Sequence, residues 1–121
     1  MSEPDTGPKL PLLVACLCAA WCGACRDYAP VFERLRSRSS DIEFAWIDIE
    51  DHEEVLDGIE VDNFPTLLIA RGDDTLFFGP VTPQPGTLAR LLQAARDGVL
   101  QPVPAPAADL PARVREIAAN G

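Results

Sequence analysis

The residues of this chain that could carry covalent chemistry are its four cysteines, all of which fall within ten positions of one another. Cys22 and Cys25 form a Cys-x-x-Cys pair in the stretch AAWCGACRDYAP (19–30). Such a pair can be a redox-active dithiol, half of a metal site or a structural disulfide. Cys16 and Cys18, in the preceding stretch VACLC, are close enough in sequence to join whichever site the first pair forms.

The elements predicted around Cys22 favour redox chemistry. The run LLVACLC (12–18) is apolar throughout and has the length of a strand buried on both faces. An amphipathic helix is predicted to begin near Cys22, since apolar residues recur behind it at helical spacing: Tyr28, Val31, Phe32 and Leu35. Unpaired N–H groups at a helix N-terminus lower a cysteine pKa from about 8.5 toward roughly 3.5–7.5. Cys25, one turn further on the same face, is placed to resolve a mixed disulfide formed at Cys22.

The rest of the chain predicts a mixed sheet with helices on its faces. A second strand is expected at 42–50, followed by a short helix around 51–57 that Gly58 closes. The segments 66–70 and 75–79 are expected to form an antiparallel hairpin across RGDD. A last core-facing helix ends at Gly98, and the first strand–helix–strand unit is expected to have parallel strands.

Four segments are predicted: a flexible N-terminus (1–9), a folded domain (10–98), a proline-rich linker (99–108) and a C-terminal helix or tail (109–121). In the last segment an apolar stripe is formed by Leu110, Val114 and Ile117. This helix can be a loosely attached tail, or it can dock back on the domain.

Composition limits the partners of the protein. A length of 121 residues, 47% of them hydrophobic, suits one domain with one core. Nineteen acidic against ten basic residues give a net charge of −9, which repels phosphate backbones and anionic lipids. We therefore expect no nucleic-acid or membrane partner. No apolar run approaches the roughly 20 residues of a membrane span, and the acidic N-terminus lacks a signal peptide's basic region, so a cytoplasmic monomer is expected.

Three landmarks make residues 10–98 resemble the thioredoxin family. The family signature WCGPC is present as WCGAC, its helix proline as Pro30 in YAPVF, and its cis-proline loop as FPTLLIA with Pro65. The resemblance implies a thioredoxin-like α/β fold, a three-layer α/β/α sandwich with a mixed sheet. It also implies that the family's N-terminal strand and helix are lacking here, which would leave one face of the sheet for the C-terminal helix to cover.

The resemblance further implies roles for individual residues. Cys22 would be the nucleophile and Cys25 the resolving thiol, facing a cis peptide bond between Phe64 and Pro65. A substrate strand would pair beside the thiols on a surface that we call the substrate surface, formed by Trp21, Phe64, Pro65 and Gly79. The implied partners are protein disulfide substrates and an upstream thiol reductase, with no cofactor.

The chain departs from the family at the positions that assist proton transfer. The family's buried aspartate and its lysine are replaced by Cys16 and Trp46, so that only water or Cys16 remains as a base for Cys25. The matching places Cys16 beneath Cys25, as a possible auxiliary thiol. Cys16 and Cys18 can equally be small buried hydrophobes. A direct bridge between them is not expected, because residues i and i+2 of a strand lie near the long limit for a disulfide.

The sequence thus predicts a thiol–disulfide oxidoreductase that acts through a reversible Cys22–Cys25 disulfide. One alternative is a binding or adaptor module of the same fold that turns over poorly. A metal-binding cysteine cluster is a weaker alternative, because four sulfurs would have to converge at about 2.3 Å from one ion, and no metal is expected.

Overall fold

A computed structural model describes residues 12–19, 22–61, 64–81, 85–104, 107 and 109–120. The predicted N-terminal segment 1–9 and Trp21 lie outside the described residues. The described residues form four strands, three α-helices and a short 3₁₀ helix, in this order: β1 (Leu12–Cys18), α1 (Gly23–Arg38), β2 (Ile42–Asp48), the 3₁₀ helix (Glu53–Leu56), β3 (Thr66–Arg71), β4 (Asp74–Pro80), α2 (Pro85–Arg96) and α3 (Leu110–Asn120).

Most of these bounds agree with the sequence, and the exceptions have local causes. Strand β2 ends at Asp48, two residues before the predicted end, because the Asp48 carboxylate accepts a hydrogen bond from the Glu50 backbone N–H at 2.9 Å and starts a turn. The helix predicted at 51–57 is a single 3₁₀ turn. Gly58 and Gly98 end their helices in the left-handed conformation, with φ of 78° and 76°.

The sheet has the strand order β2-β1-β3-β4. Strand β1 runs parallel to β2 and antiparallel to β3, and β3 and β4 form the predicted hairpin. Every residue of β1 is buried, which is why its sequence is apolar without alternation. The central strand therefore separates two apolar clusters, one on each face of the sheet.

The two clusters define three layers. On one face, α1 and α2 cover the sheet with side chains that include Tyr28, Phe32, Leu88 and Leu92. On the other face, α3 and the 3₁₀ helix supply Leu110, Val114 and Val55, which pack against alternate residues of β1. The α/β/α sandwich predicted for this sequence is confirmed.

Helix α3 docks on the sheet, which decides between the two possibilities left open by the sequence. Leu110 and Val114 have no exposed surface. Arg113 donates hydrogen bonds to the carbonyls of Val55 and Asp57 at 3.2 and 2.9 Å. Arg115 donates to the Gly72 carbonyl at 2.7 Å and pairs with Glu43. Apolar burial thus holds the helix down, and the two arginines position it.

The segment that leads to α3 is also attached to the domain. The Val103 backbone N–H donates a hydrogen bond to the Thr75 carbonyl at 2.8 Å, on the edge strand β4. Val99 and Val103 themselves are 67% and 40% exposed. Leu100, between them, packs against the apolar cluster. Part of the predicted linker therefore follows the edge of the sheet and is held there.

We predict that Val114→Ala lowers the free energy of unfolding by about 1.5 kcal/mol. The loss of two buried methyl groups outweighs the better helix propensity of alanine, roughly 0.5 kcal/mol. Val99→Ala, the same change at an exposed position, should stay within about 0.5 kcal/mol of wild type. Urea denaturation of both variants measures the difference. Equal stabilities would contradict the burial of Val114 between α3 and the sheet.

Candidate active site

Cys22 lies at the turn where β1 ends and α1 begins. Its backbone is extended (φ −88°, ψ 116°), which is the usual conformation of a residue that caps a helix. The Cys22 N–H donates to the Ala19 carbonyl at 3.0 Å, and this bond tightens the turn. The Cys22 thiol is half-buried and donates to the Phe64 carbonyl at 3.5 Å. The nucleophile predicted from the sequence thus lies at the protein surface, with one face against the Phe64 loop.

The start of α1 stabilises the thiolate of Cys22. No hydrogen bond of ordinary geometry joins the thiol to the first turn, but the Cys25 backbone N–H faces it and contributes most to lowering its pKa. The Cys25 thiol, the Ala24 N–H and the charge of Arg26 lower the pKa further, against the opposing effect of partial burial. Cys22 is therefore the thiol that ionises first and the one that can act as a nucleophile.

Cys25 has the opposite character. It lies one turn into α1 and is 2% exposed. Burial raises its pKa far above that of an ordinary thiol, and hydrogen bonding to the Cys18 thiol raises it further. The two cysteines of the motif thus differ in the way that a nucleophile and a resolving thiol require.

Cys16 and Cys18 extend this pair into a row of four sulfurs. The Cys25 thiol lies near the thiols of both Cys22 and Cys18, which raise its pKa, and Cys18 lines the same cavity as Cys25. The Cys18 sulfur in turn lies 3.1 Å from the Cys16 sulfur. The two sulfurs are closer together than is expected for residues i and i+2 of a strand. The neighbour of Cys25 is therefore Cys18, where the resemblance places Cys16. Cys18 ends β1 beside the first turn of α1, which brings it nearer to Cys25.

The loop before β3 forms the opposite wall of the site. The peptide bond between Phe64 and Pro65 is cis, and Pro65 is buried. The Pro65 carbonyl accepts a hydrogen bond from the Val81 N–H at 3.1 Å. Val81, like Cys22 and Phe64, is partly buried and packs against the apolar cluster that includes Cys25. Sequence reasoning missed Val81, although its place directly after a predicted strand was a signal.

Of the predicted substrate surface, the structure brings Phe64 and Pro65 to Cys22. Gly79 lies in β4 opposite Leu67, one pair nearer the β3–β4 turn than Pro80, which pairs with Thr66. Trp21 lies outside the described residues.

A cavity of about 250 Å³ reaches the dithiol from the β2 side. It is lined by Cys18, Ala19, Cys25, Arg26, Ala29, Trp46 and Asp48. Among these, Asp48 carries the carboxylate, and it lies beside Cys18 because the two residues are paired in the sheet. Trp46, which replaces the family's lysine, packs edge-on against Phe32 with 5.5 Å between ring centres. Sequence reasoning missed Asp48, for which strand pairing was the available signal.

Neither a metal cluster nor a membrane span was found in the part of the chain that the structure describes. No three side chains of His, Cys, Asp or Glu are placed there to hold one ion. The four sulfurs follow one another and do not converge on a point. None of the described helices is long and apolar enough to cross a bilayer.

A mixed sheet between helical layers, with a dithiol at a helix start beside a cis-proline, defines the thioredoxin class of protein. The family model "Thioredoxin" matches residues 8–84, and the chain belongs to the thioredoxin family. It therefore belongs to a family of thiol–disulfide oxidoreductases.

Individual relatives agree with this assignment. "Putative thioredoxin 2" of Streptomyces coelicolor is 30% identical over 78 residues, which cover 64% of this chain and 58% of the relative. "Thioredoxin H2-1" of Oryza sativa is 35% identical over 63 residues, 52% of this chain and 46% of the relative. The chain thus spans about half the length of these relatives.

Solved structures show the same fold. Fasciola hepatica thioredoxin has a TM-score of 0.64 at 27% identity, and the match covers 70% of this chain and 81% of that one. Trypanosoma brucei thioredoxin has a TM-score of 0.65 at 27% identity, with coverages of 74% and 78%.

We predict that iodoacetamide alkylates Cys22 first, with a rate that levels off at a lower pH than for an ordinary thiol. The reason is that its pKa is lowered, so the thiolate is fully formed at a lower pH. Cys25→Ala should move this plateau to higher pH, because the Cys25 thiol is one of the groups that lower the pKa of Cys22. Cys16→Ala is the matched control and should leave the plateau in place. Equal pH profiles for wild type and Cys25→Ala would contradict this account.

Proposed function

We propose that this protein reduces disulfides of other proteins through a reversible Cys22–Cys25 dithiol. The observation that carries the proposal is the contrast between the two thiols: Cys22 is accessible with a lowered pKa, and Cys25 is buried with a raised one. The Cys22 thiolate attacks one sulfur of a substrate disulfide, and the other substrate sulfur leaves as a thiolate. Cys25 then attacks the Cys22 sulfur, which releases the second substrate thiol and leaves Cys22 and Cys25 oxidised.

The Phe64–Pro65 loop is the proposed place where the substrate strand docks. The Phe64 carbonyl lies 3.5 Å from the reacting sulfur, so a strand paired along this loop would bring its disulfide to Cys22. Phe64 and Val81 contribute apolar surface on either side. Bound in this way, the substrate would be oriented by backbone contacts that are the same for many sequences, which suits a range of protein substrates.

Resolution needs a base, since Cys25 is protonated at neutral pH. We propose that Asp48 accepts this proton through water in the cavity that both residues line. The cavity has room for several water molecules, each of which takes about 30 Å³ in the liquid. Asp48, which lies on the neighbouring strand β2, would thus act as the base in place of the family's buried aspartate.

The proposed cycle also needs a partner that reduces the protein again. An upstream thiol reductase would return the Cys22–Cys25 disulfide to the dithiol after each turnover. We propose a cytoplasmic monomer, because four free thiols in one site suit a reducing compartment.

One observation favours the alternative of a binding module with poor turnover. The position of the family's buried aspartate holds Cys16, and the raised pKa of Cys25 slows resolution. Such a module would dock a partner on the Phe64–Pro65 loop without passing on electrons.

We predict that the wild type catalyses insulin reduction by dithiothreitol and that Cys22→Ser abolishes this activity, because the nucleophile is lost. In a separate mixture without dithiothreitol, reduced Cys25→Ser should accumulate the mixed disulfide with insulin, since the resolving thiol is lost and no added thiol replaces it. Turbidity measures the first result, and a gel under non-reducing conditions the second. If the wild type shows no activity above the dithiothreitol background, the enzyme proposal is wrong and the binding module is favoured.

We predict that Asp48→Asn slows resolution of a mixed disulfide by about tenfold at neutral pH, with a smaller deficit as the pH rises. The deficit shrinks because hydroxide replaces the missing base. Asp51→Asn, an exposed neighbour with the same change of charge, is the control. Stopped-flow fluorescence over a pH series measures the rate. A profile of Asp48→Asn that coincides with that of Asp51→Asn would rule out Asp48.

A further inference from the structure

Two buried nucleophiles take no part in the proposed cycle. Cys16 is 0% and Cys18 2% exposed, and their sulfurs lie 3.1 Å apart. The Cys18 thiol also lies near that of Cys25, and both residues line the cavity on the β2 side and pack in the same apolar cluster. Between the surface thiol Cys22 and the buried Cys16 thus lie two intervening thiols, those of Cys25 and Cys18.

We propose that Cys16 and Cys18 are a second, buried dithiol, which takes over the oxidised state of the Cys22–Cys25 pair by internal thiol–disulfide exchange. The inference rests on the proposed function, which supplies the Cys22–Cys25 disulfide. In this scheme Cys18 exchanges with Cys25, and Cys16 then forms the buried disulfide with Cys18.

The exchange is balanced within the chain. The Cys18 thiolate attacks the Cys25 sulfur, a Cys18–Cys25 bond forms, the Cys22–Cys25 bond breaks, and Cys22 leaves as a thiolate. Cys16 then attacks the Cys18 sulfur, and Cys25 leaves as a thiol with the proton that Cys16 loses. Two electrons pass from the buried pair to the surface pair, which is then ready for a second substrate disulfide. No external oxidant enters these steps.

Geometry makes the exchange possible but slow. A disulfide bond is about 2.04 Å long, so the Cys16 and Cys18 sulfurs must approach by roughly 1 Å. Because residues two apart on a strand lie near the limit for bridging, β1 must pucker at Leu17, between its partners Ile47 and Thr66. Hydrogen bonding to Cys16 and burial also raise the pKa of Cys18, which keeps its thiolate scarce. The buried pair is therefore oxidised more slowly than the surface pair and after it.

A buried hydroxyl lies beside this pair. Tyr28 has no exposed surface, and its hydroxyl has no hydrogen-bond partner among the described residues. Tyr28 packs in the same apolar cluster as Cys16 and Cys18. Burial raises the pKa of this phenol, and negative charge on Cys16 or Cys18 would raise it further. A polar group buried without a partner is uncommon. Tyr28 can donate to the thiolate that forms during exchange, and we assign it the part of a positioning residue.

The test uses a protein-sized oxidant that reaches only Cys22. Reduced protein is mixed with excess insulin, quenched in acid, treated with N-ethylmaleimide under denaturing conditions and digested with trypsin. All four cysteines then lie in one peptide, residues 10–26, between Lys9 and Arg26. We expect this peptide to become lighter by four hydrogen atoms and to carry no maleimide, which means two disulfides.

The other outcomes separate the inference from the proposed function. A wild-type peptide that stops at two hydrogens lost and two maleimides would overturn the second dithiol and leave the Cys22–Cys25 cycle standing. A peptide with four maleimides would overturn both. Cys16→Ala should stop at one disulfide and should form it at the rate at which the wild type forms its first disulfide. A slower first disulfide in Cys16→Ala would overturn the assigned order of exchange.

The part of Tyr28 is tested by Tyr28→Phe, which keeps the ring and removes the hydroxyl. The first disulfide should form at the wild-type rate and the second several-fold more slowly. Circular dichroism and urea denaturation report whether the variant is folded, so a general loss of structure is distinguished. Equal rates of the second step in Tyr28→Phe and wild type would overturn the assignment.

Discussion

Strand β1 is buried on both faces, and this constraint decides what can surround the reactive thiols. A strand covered on both sides offers no place for an ionised group without a partner, so its side chains are apolar or thiols. Among the described residues after β1, Ala19 is still buried, and Cys22, at the turn where α1 begins, is the first with exposed surface. That turn is where a cysteine can be both accessible and close to the unpaired N–H groups of a helix start, and Cys22 occupies it.

The same constraint separates the properties of the thiols by depth. At the surface, backbone N–H groups lower the pKa of Cys22, whereas burial raises that of Cys25 one helical turn inward. Cys18 is equally buried, and its hydrogen bond to Cys16 together with burial raises its pKa as well. This contrast gives a direction to thiol–disulfide exchange, because the Cys22 thiol, which ionises readily, meets the substrate, whereas the buried Cys25 and Cys18 thiols hold their protons.

The opposite face of the sheet depends on α3. Leu13, Ala15 and Leu17 of β1 point to that face, and α3 covers them with Leu110 and Val114. Arg113 and Arg115 join this helix to the 3₁₀ turn and to the β3–β4 turn. Because both layers share β1, the packing of α3 supports the strand whose end positions the dithiol.

Local patterns in the sequence were sufficient for much of this description. An apolar run of seven residues predicted β1, helical spacing predicted α1, and the resemblance through Pro30 and Pro65 predicted the fold and the dithiol. These features depend on neighbours along the chain or on landmarks in fixed order. What the tertiary structure alone decided depends on contacts between distant segments. Strand register places Asp48 beside Cys18, packing at the start of α1 puts Cys18 and not Cys16 next to Cys25, and burial against β1 docks α3. Periodicity shows which face of an element is apolar, but the free energy of packing selects the partner of that face, and it is a property of the folded chain.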